Sequence, residues 1–169
     1  MAFVEFRQLP DSARLWIYAA RTPLDKTQVE ALERHMNHFM QEWTAHKREL
    51  TTGWELKYDR FLLVAVDERS MTASGCSIDS MVRSLREFEQ RFGCQIVGTA
   101  ALVFYRDEAG GIQSAERMQF KQLAQLGKVS ETTVVFDNVI QTLGDFREGR
   151  WEIPMRESWH MEAFSLVQK

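Results

Sequence analysis

The sequence predicts an α+β protein whose core is a ferredoxin-like βαββαβ arrangement, an antiparallel sheet with its helices on one face. Three observations support this fold class: short apolar runs typical of strands, two long amphipathic helical patterns, and their alternation along the chain. We expect the core to span residues 1–110. Residues 111–169 would then form a C-terminal α/β extension with a wrapping tail, unless the chain is one continuous domain.

The first predicted strand and helix are separated by a turn. The stretch "RLWIYAA" alternates side chains in the manner of a strand, and "RTPL" turns the chain. Asp25 followed by Gln28 three residues later is typical of a capping box at a helix start. A helix to about Trp43 is predicted because apolar residues then recur at helical spacing: Val29, Leu32, Met36, Phe39, Met40 and Trp43.

A hairpin is predicted next. In "ELTTGWELKYD" the residues Trp54, Leu56 and Tyr58 fall on one face of a strand and charged residues on the other. The pair Asp59-Arg60 is predicted as the turn. The strand "FLLVAV" is apolar throughout, which indicates a central strand covered on both faces.

The second helix is predicted to follow "ASGC" and to end at Gly93, a residue type favoured at helix C-termini. Its apolar stripe consists of Ile78, Met81, Val82, Leu85, Phe88 and Phe92. The stretch "CQIVGTAALVFYRD" then supplies the fourth strand of the sheet, and "EAGG" turns the chain.

The last third of the sequence has a weaker pattern. "MQFKQLAQLG" predicts a short helix with Phe120, Leu123 and Leu126 inward and Gly127 as its end, and "KVSETTVVF" predicts a turn and an edge strand. Beyond it, Trp151 and Trp159 lie in a tail. Such large side chains predict that the tail docks on the core.

Composition narrows the choice of partners and location. A net charge of −3 disfavours nucleic acid as a partner, since such binding needs clustered basic residues. No apolar run approaches the ~20 residues needed to cross a bilayer, and early charges disfavour a secretory signal. We therefore expect a cytoplasmic protein with reduced thiols and no membrane association. No motif in the sequence indicates a cofactor.

Cys76 is the centre of the predicted site. If Ser77 caps the second helix, unpaired amides of the first turn point past Cys76 and could stabilise a thiolate or a small anionic ligand. Ser74, Gly75 and Asp79 would surround it, although Asp79 in the first turn competes for the same field. The alternative is a tight turn in which Cys76 is a small packing residue.

Histidines offer two further hypotheses. His160 lies outside the first helix and is the candidate base for Cys76, which requires spatial contact. His35, His38 and Glu42 fall on one flank of the first helix, where a solvated face is favoured over a metal site because no HExxH motif is present. Gln122 stands where a Walker A loop before "GKVS" needs glycine, so ATP hydrolysis by such a loop is not predicted.

Three stretches carry a resemblance that spans nearly the whole chain: "VDERSMTASGCSIDSMVRSL", "GKVSETTVVFDN" and "WEIPMRESWH". They resemble an uncharacterised family of small bacterial cytosolic proteins, some of them labelled ABC-transporter ATPases although Walker motifs are missing here. Residues 120–136, "FKQLAQLGKVSETTVVF", resemble the core of GYF-like adaptor modules. That second resemblance implies a shallow aromatic groove for peptides.

Two classes of function stay open at this point. The first is a binding or interaction protein that uses a sheet face, an edge strand or the tail aromatics to hold a protein or peptide, or to form a homodimer. The second is a thiol-dependent or anion-binding site at Cys76 with His160 as its base. The first is favoured because the sequence does not assemble a complete catalytic set.

Overall fold

The apolar runs build two antiparallel sheets that pack face to face, with helices on the outer face of each. The computed structural model describes residues 3–45 and 48–164. The strands are β1 (Arg14–Ala19), β2 (Thr44–Ala45), β3 (Arg48–Glu49), β4 (Thr51–Lys57), β5 (Phe61–Asp67), β6 (Leu102–Arg106), β7 (Ile112–Glu116), β8 (Val134–Phe136) and β9 (Glu152–Pro154). The helices are α1 (Lys26–Glu42), α2 (Gly75–Phe92), α3 (Arg117–Gln125), α4 (Leu143–Arg147) and α5 (His160–Ala163).

The first sheet has the strand order β1-β5-β4, and both pairings are antiparallel. In the register, Arg14 pairs with Val66 on one side of β5 and Thr51 pairs with Asp67 on the other. Helices α1 and α2 cover one face of this sheet through an apolar core that includes Leu32, Met36, Leu62, Val64, Met81 and Leu85. The mixed α+β class is therefore confirmed, whereas the short strands β2 and β3 between α1 and β4 were not predicted.

Local signals at the helix ends are confirmed as well. The Asp25 carboxylate accepts a hydrogen bond from the Gln28 amide at 2.8 Å, and the Gln28 side-chain oxygen accepts one from the Asp25 amide at 3.0 Å. This reciprocal pair satisfies two amides that a helix start would otherwise leave unpaired. Gly93 ends α2 with a left-handed φ of 67°, which a side chain would disfavour.

The predicted single βαββαβ sheet is not confirmed, because β6 leaves the first sheet. It forms a second sheet with the order β7-β6-β8-β9. The inner face of the first sheet is apolar, with Leu15, Phe61 and Leu63 buried. A ferredoxin-like sheet would leave that face without helices, whereas here β6 and β8 cover it. The ring centroids of Phe61 and Phe104 lie 5.4 Å apart across the two sheets.

The N-terminal segment fills the inner layer beside β4. A Cβ atom on Gly53 would lie 3.0 Å from the Phe6 Cα, the Val4 carbonyl oxygen and a Leu9 methyl group. Only a residue without a side chain allows the segment to cross β4 this closely. Leu9 is buried there among the residues between the sheets.

The hairpin between β4 and β5 turns one residue earlier than predicted. Its central residues are Tyr58 and Asp59, with φ of 55° and 49°, and the Arg60 amide bonds to the Lys57 carbonyl at 3.0 Å. Positive φ at both positions is the type I′ geometry that suits two-residue hairpins. Tyr58 tolerates it because its ring stacks on Trp151 and its hydroxyl donates to Glu152 at 2.9 Å.

The last third docks on the core, as the tryptophans predicted. Trp151 is only 4% exposed and packs between the sheets. Two predictions in this region are wrong. Leu126 is 73% exposed because α3 ends at Gln125, so the following residue leaves the inward face. β8 lies between β6 and β9 and is an interior strand, since the tail returns to pair with it.

The structure also bears on the predicted domain boundary, on the fourth strand and on membrane-spanning helices. The boundary expected at residue 110 lies in the hairpin between β6 and β7. Residues 94–101, predicted as part of the fourth strand, form no strand. In the described residues, no helix is both long and apolar enough to span a membrane.

We expect Asp59→Gly to stabilise the protein by about 0.5–1 kcal/mol, because glycine adopts positive φ without the steric penalty of a Cβ atom. The free energy of unfolding from urea titration measures this. Asp59→Ala is the matched control and should destabilise, since alanine tolerates this conformation less well than aspartate. Stabilisation by alanine, or none by glycine, would contradict the turn assignment.

Candidate functional site

The predicted site at Cys76 lies at the start of α2, but Ser74 rather than Ser77 is the cap. The Ser74 Oγ atom accepts the Ser77 amide at 3.1 Å, and α2 begins at Gly75. Cys76 is therefore inside the first turn, and its side chain is exposed. The prediction that Ser77 caps the helix is wrong because the helix starts three residues earlier.

Ser77 and Asp79 take different positions from those predicted. Ser77 is buried, its hydroxyl lies 2.9 Å from that of Ser74, and its carbonyl accepts the Trp43 indole N–H at 2.8 Å. Asp79 is exposed and lies beyond the first turn, so the expected competition between Asp79 and Cys76 for the helix start does not arise. Ser74 and Ser77 are thus engaged in anchoring the helix.

His160 does not approach Cys76. It lines a cavity together with Gly98, Thr99 and Ala100, which follow the C-terminal end of α2. Cys76 lies in the first turn of α2, and about 24 Å of helix axis separates it from the last residue of this helix, Phe92. The structure therefore does not bring the predicted thiol and base together.

The surroundings of His160 form a distinct site. The residue is 2% exposed, its Nδ1 atom hydrogen-bonds to the Ser158 hydroxyl, and its ring stacks on Trp159 with centroids 3.9 Å apart. Burial, together with the charge of Arg117, lowers the pKa of His160 to about 4. The imidazole is therefore neutral at pH 7.

The second ring nitrogen of His160, Nε2, is left without a partner by these contacts. Nε2 has no hydrogen-bond partner among the described residues. Within the same part of the chain, no fully buried side-chain nitrogen or oxygen lacks a partner. Nε2 is therefore not fully buried, and His160 is one of the residues that line a cavity of about 180 Å³. We call this space the His160 cavity.

A larger cavity of about 490 Å³ adjoins it along β1. The two spaces share Ile17, Tyr18, Asn138 and Val139 in their walls. Together they form a cleft, here the β1 cleft, between the outer edge of β1 and residues 137–141. Val139 is 63% exposed at its rim.

The outer edge of β1 is closed at its two ends and open between them. The Leu15 amide bonds to the Gln141 carbonyl at 2.8 Å, and the Thr99 hydroxyl donates to the Ala19 carbonyl at 2.7 Å. Backbone groups of a strand alternate in direction, so the N–H and C=O of Ile17 also point outward. Within residues 3–45 and 48–164 they have no partner on that side.

The charges near the cleft lie at one end. Arg14 and Glu68 line the larger cavity, with 3.9 Å between their side chains, and the Arg14 guanidinium lies 4.5 Å from the centre of the Trp16 ring. The walls of the His160 cavity contain no charged side chain among the described residues. The cleft is therefore charged at the Leu15 end and uncharged at the Ala19 end, where Thr99, Asn138 and His160 are among the lining residues.

The histidines of α1 face different partners. His35 lies 2.7 Å from the Ser84 hydroxyl on α2 and packs against Phe88, and burial lowers its pKa. It is half-buried rather than on a solvated face, because α2 packs beside it. His38 is exposed and pairs with Glu42 at 3.4 Å. Among the described residues, no three His, Cys, Asp or Glu side chains are grouped to hold a metal ion.

Comparison with known proteins adds no assignment: no protein family, no curated protein and no solved structure matches this chain. The resemblances found in the sequence therefore stay predictions. The site rests on the geometry of the chain itself.

The sequence identified Trp159 and His160 but missed the residues that complete their site. Gly98 and Thr99 lie in "VGTAA", which is inside the stretch predicted as the fourth strand. A glycine inside a predicted strand is a sequence signal of a break. The structure has this break, with a φ of 79° at Gly98. Ile17 carried no local signal, because an open edge depends on which strands pair elsewhere.

We expect Cys76 to be alkylated several-fold faster than Cys94 at neutral pH. Cys76 is exposed, whereas Cys94 is half-buried and its pKa is raised by burial and by the charge of Glu89. Mass spectrometry of the iodoacetamide-labelled chain separates the two rates. The urea-unfolded chain is the control, in which both should react alike, and faster labelling of Cys94 in the folded protein would contradict the placement.

We expect stability to fall as the pH decreases from 6.5 to about 4, because the unfolded chain binds a proton on His160 more readily than the folded chain does. The contribution is complete above pH 6.5 and its loss is on the order of 3 kcal/mol. Urea titrations at pH 7 and pH 4 measure it. His160→Gln cannot titrate and should lose less stability than the wild type, whereas equal losses would contradict a buried neutral imidazole.

Proposed function

We propose that the protein is a binding module that takes up an extended peptide segment by strand addition in the β1 cleft. The observation that carries the proposal is the open edge of β1 at Ile17. An added strand gains affinity from main-chain hydrogen bonds and specificity from pockets for alternate side chains. Both elements are present in the cleft.

The length of the open edge limits the ligand. Leu15 to Ala19 spans about 13 Å of strand, which is enough for three or four residues of an incoming segment. The outward groups available to it are the Leu15 carbonyl, both backbone groups of Ile17 and the Ala19 amide, given the bonds that close the two ends. We therefore propose a short extended ligand rather than a long added strand.

The side chains of the cleft favour an amphipathic ligand. Arg14 and Glu68 lie at one end, and Trp159 and Val139 flank the other. A segment with a polar residue at the Leu15 end and an apolar or aromatic residue at the Ala19 end matches both. This proposal keeps the prediction of a protein or peptide partner and moves it from the GYF-like residues 120–136 to β1.

The alternative, a thiol-dependent or anion-binding site at Cys76, stays a prediction. Its helix start and exposed thiol are present. Ser74 and Ser77 are occupied with each other and with the helix, and His160 lies at the other end of α2. Strand addition is favoured because the open edge of β1 and the residues that would flank a ligand line the same cleft.

We expect Ile17→Pro to weaken peptide binding by about tenfold, the value of one backbone hydrogen bond of roughly 1.4 kcal/mol. Proline removes only the outward N–H, because the amides that pair with β5 belong to the neighbouring residues, and edge strands tolerate it there. Ile17→Val keeps the N–H and is the matched control. Octapeptides selected from a displayed random library serve as ligands, with Kd measured by fluorescence anisotropy.

A second measurement leaves the protein unchanged. N-methylation of the selected peptides should weaken binding at every second position only, since alternate amides of an added strand face β1. Failure to select any peptide, or equal affinity for the proline and valine variants, would overturn the proposal. A concentration-dependent dimer in sedimentation that Ile17→Pro abolishes would assign the edge to a second copy of the chain instead.

A further inference from the structure

We propose that the His160 cavity binds an uncharged aromatic ring carrying one hydroxyl group, the chemistry of a phenol or of a tyrosine side chain. The inference goes beyond strand addition and does not depend on it. It rests on the size of the cavity, on the unpartnered Nε2 atom of His160 among its lining residues, and on the absence of charge from its described walls.

The volume suits a single ring. A cavity of about 150 Å³ lined by apolar side chains is known to accept benzene, and the His160 cavity measures about 180 Å³. Three aromatic residues are among those that line it: Tyr18, Phe136 and Trp159. Aromatic rings pack well against one another in stacked and edge-to-face arrangements.

The hydroxyl follows from the state of His160. Its Nδ1 atom is held by Ser158, so Nε2 either carries the remaining proton or accepts one. A hydroxyl group both donates and accepts, and it therefore pairs with Nε2 in either case. A toluene-like ring would leave this nitrogen without a partner, which is unfavourable.

The requirement for a neutral ligand follows from the absence of charged side chains among the described residues that line the cavity. The described residues that line the cavity include no carboxylate, guanidinium or ammonium group, and burial keeps His160 neutral at pH 7. Arg117 lies over the Trp159 ring, 5.7 Å from its centroid, and is not among the lining residues. A carboxylate or an amine would therefore lose its hydration without a charged partner in the walls, at high cost. A phenol has a pKa near 10 and stays neutral under the same conditions.

The test uses p-cresol, toluene and 4-methylbenzoate with the full chain at pH 7, measured by calorimetric titration. We expect p-cresol to bind, toluene to bind about tenfold more weakly because it lacks the hydroxyl, and 4-methylbenzoate not to bind. The nitrogen NMR shift of His160 Nε2 should move with p-cresol and not with toluene. Equal binding of p-cresol and toluene, or no binding of p-cresol, would overturn the proposal.

Two variants locate the site. His160→Phe keeps a stacking ring but removes Nε2, so it should reduce p-cresol to the affinity of toluene while toluene itself is unchanged. Ala100→Trp places a large side chain on an exposed wall residue and should block all ligands without altering His160. Unchanged p-cresol binding in the Ala100→Trp variant would overturn the assignment even if His160→Phe failed to fold.

Competition experiments distinguish the two sources of the ring, a tyrosine of a bound peptide and a free phenolic compound. If the ligand is a tyrosine of a bound peptide, peptides selected on β1 should contain tyrosine, displace p-cresol and lose affinity on Tyr→Phe exchange. If p-cresol binds and no peptide displaces it, the cavity serves a free phenolic compound. Peptide binding that depends on Ile17 without any p-cresol binding would reject this inference and leave strand addition intact.

Discussion

The burial of β5 on both faces is the constraint on which the rest of the structure depends. All seven residues from Phe61 to Asp67 are buried. One face needs α1 and α2, and the other needs a second layer of comparable area, which only another sheet supplies here. The chain therefore places β6 on top of the first sheet rather than beside β1. The open edge of β1 is a direct consequence of that choice.

Arg60 joins the layers at the point where β5 begins. Its guanidinium is nearly inaccessible, yet it faces no carboxylate among the described residues. It donates to the carbonyls of Ala20, Arg21 and Ile112 and to the Ser114 hydroxyl. Burial lowers its pKa, but an arginine stays charged, so these four acceptors offset the cost of desolvation. These hydrogen bonds connect β7 of the second sheet to the turn after β1 and so fix one end of the β1 cleft.

The sequence predicted what is decided locally and failed where distant contacts decide. The Asp25 capping box, the end of α2 at Gly93 and the doubly buried strand depend on neighbours within a few residues or on composition alone. Two serines three residues apart, Ser74 and Ser77, could each begin a helix, and burial of Ser77 against Trp43 selects the first. Likewise, the apolar residues of β6 suit either sheet, and only the packing of Phe104 on Phe61 decides between them. His160 was noticed, but its partners follow from this same long-range arrangement.

An open edge is a hazard for most proteins, because it invites unlimited pairing with other chains. In this fold the hazard is limited by geometry: Gln141 closes one end of the β1 edge, and Gln95 and Thr99 close the other around Ala19 and Arg21. Only a short segment can enter, and residues 137–141 restrict its approach from the side. A neutral imidazole at one end and an Arg14–Glu68 pair at the other make the two directions of entry unequal. An edge that is short, bounded and polarised in this way suits selective binding better than aggregation, and this is why we place the function at β1.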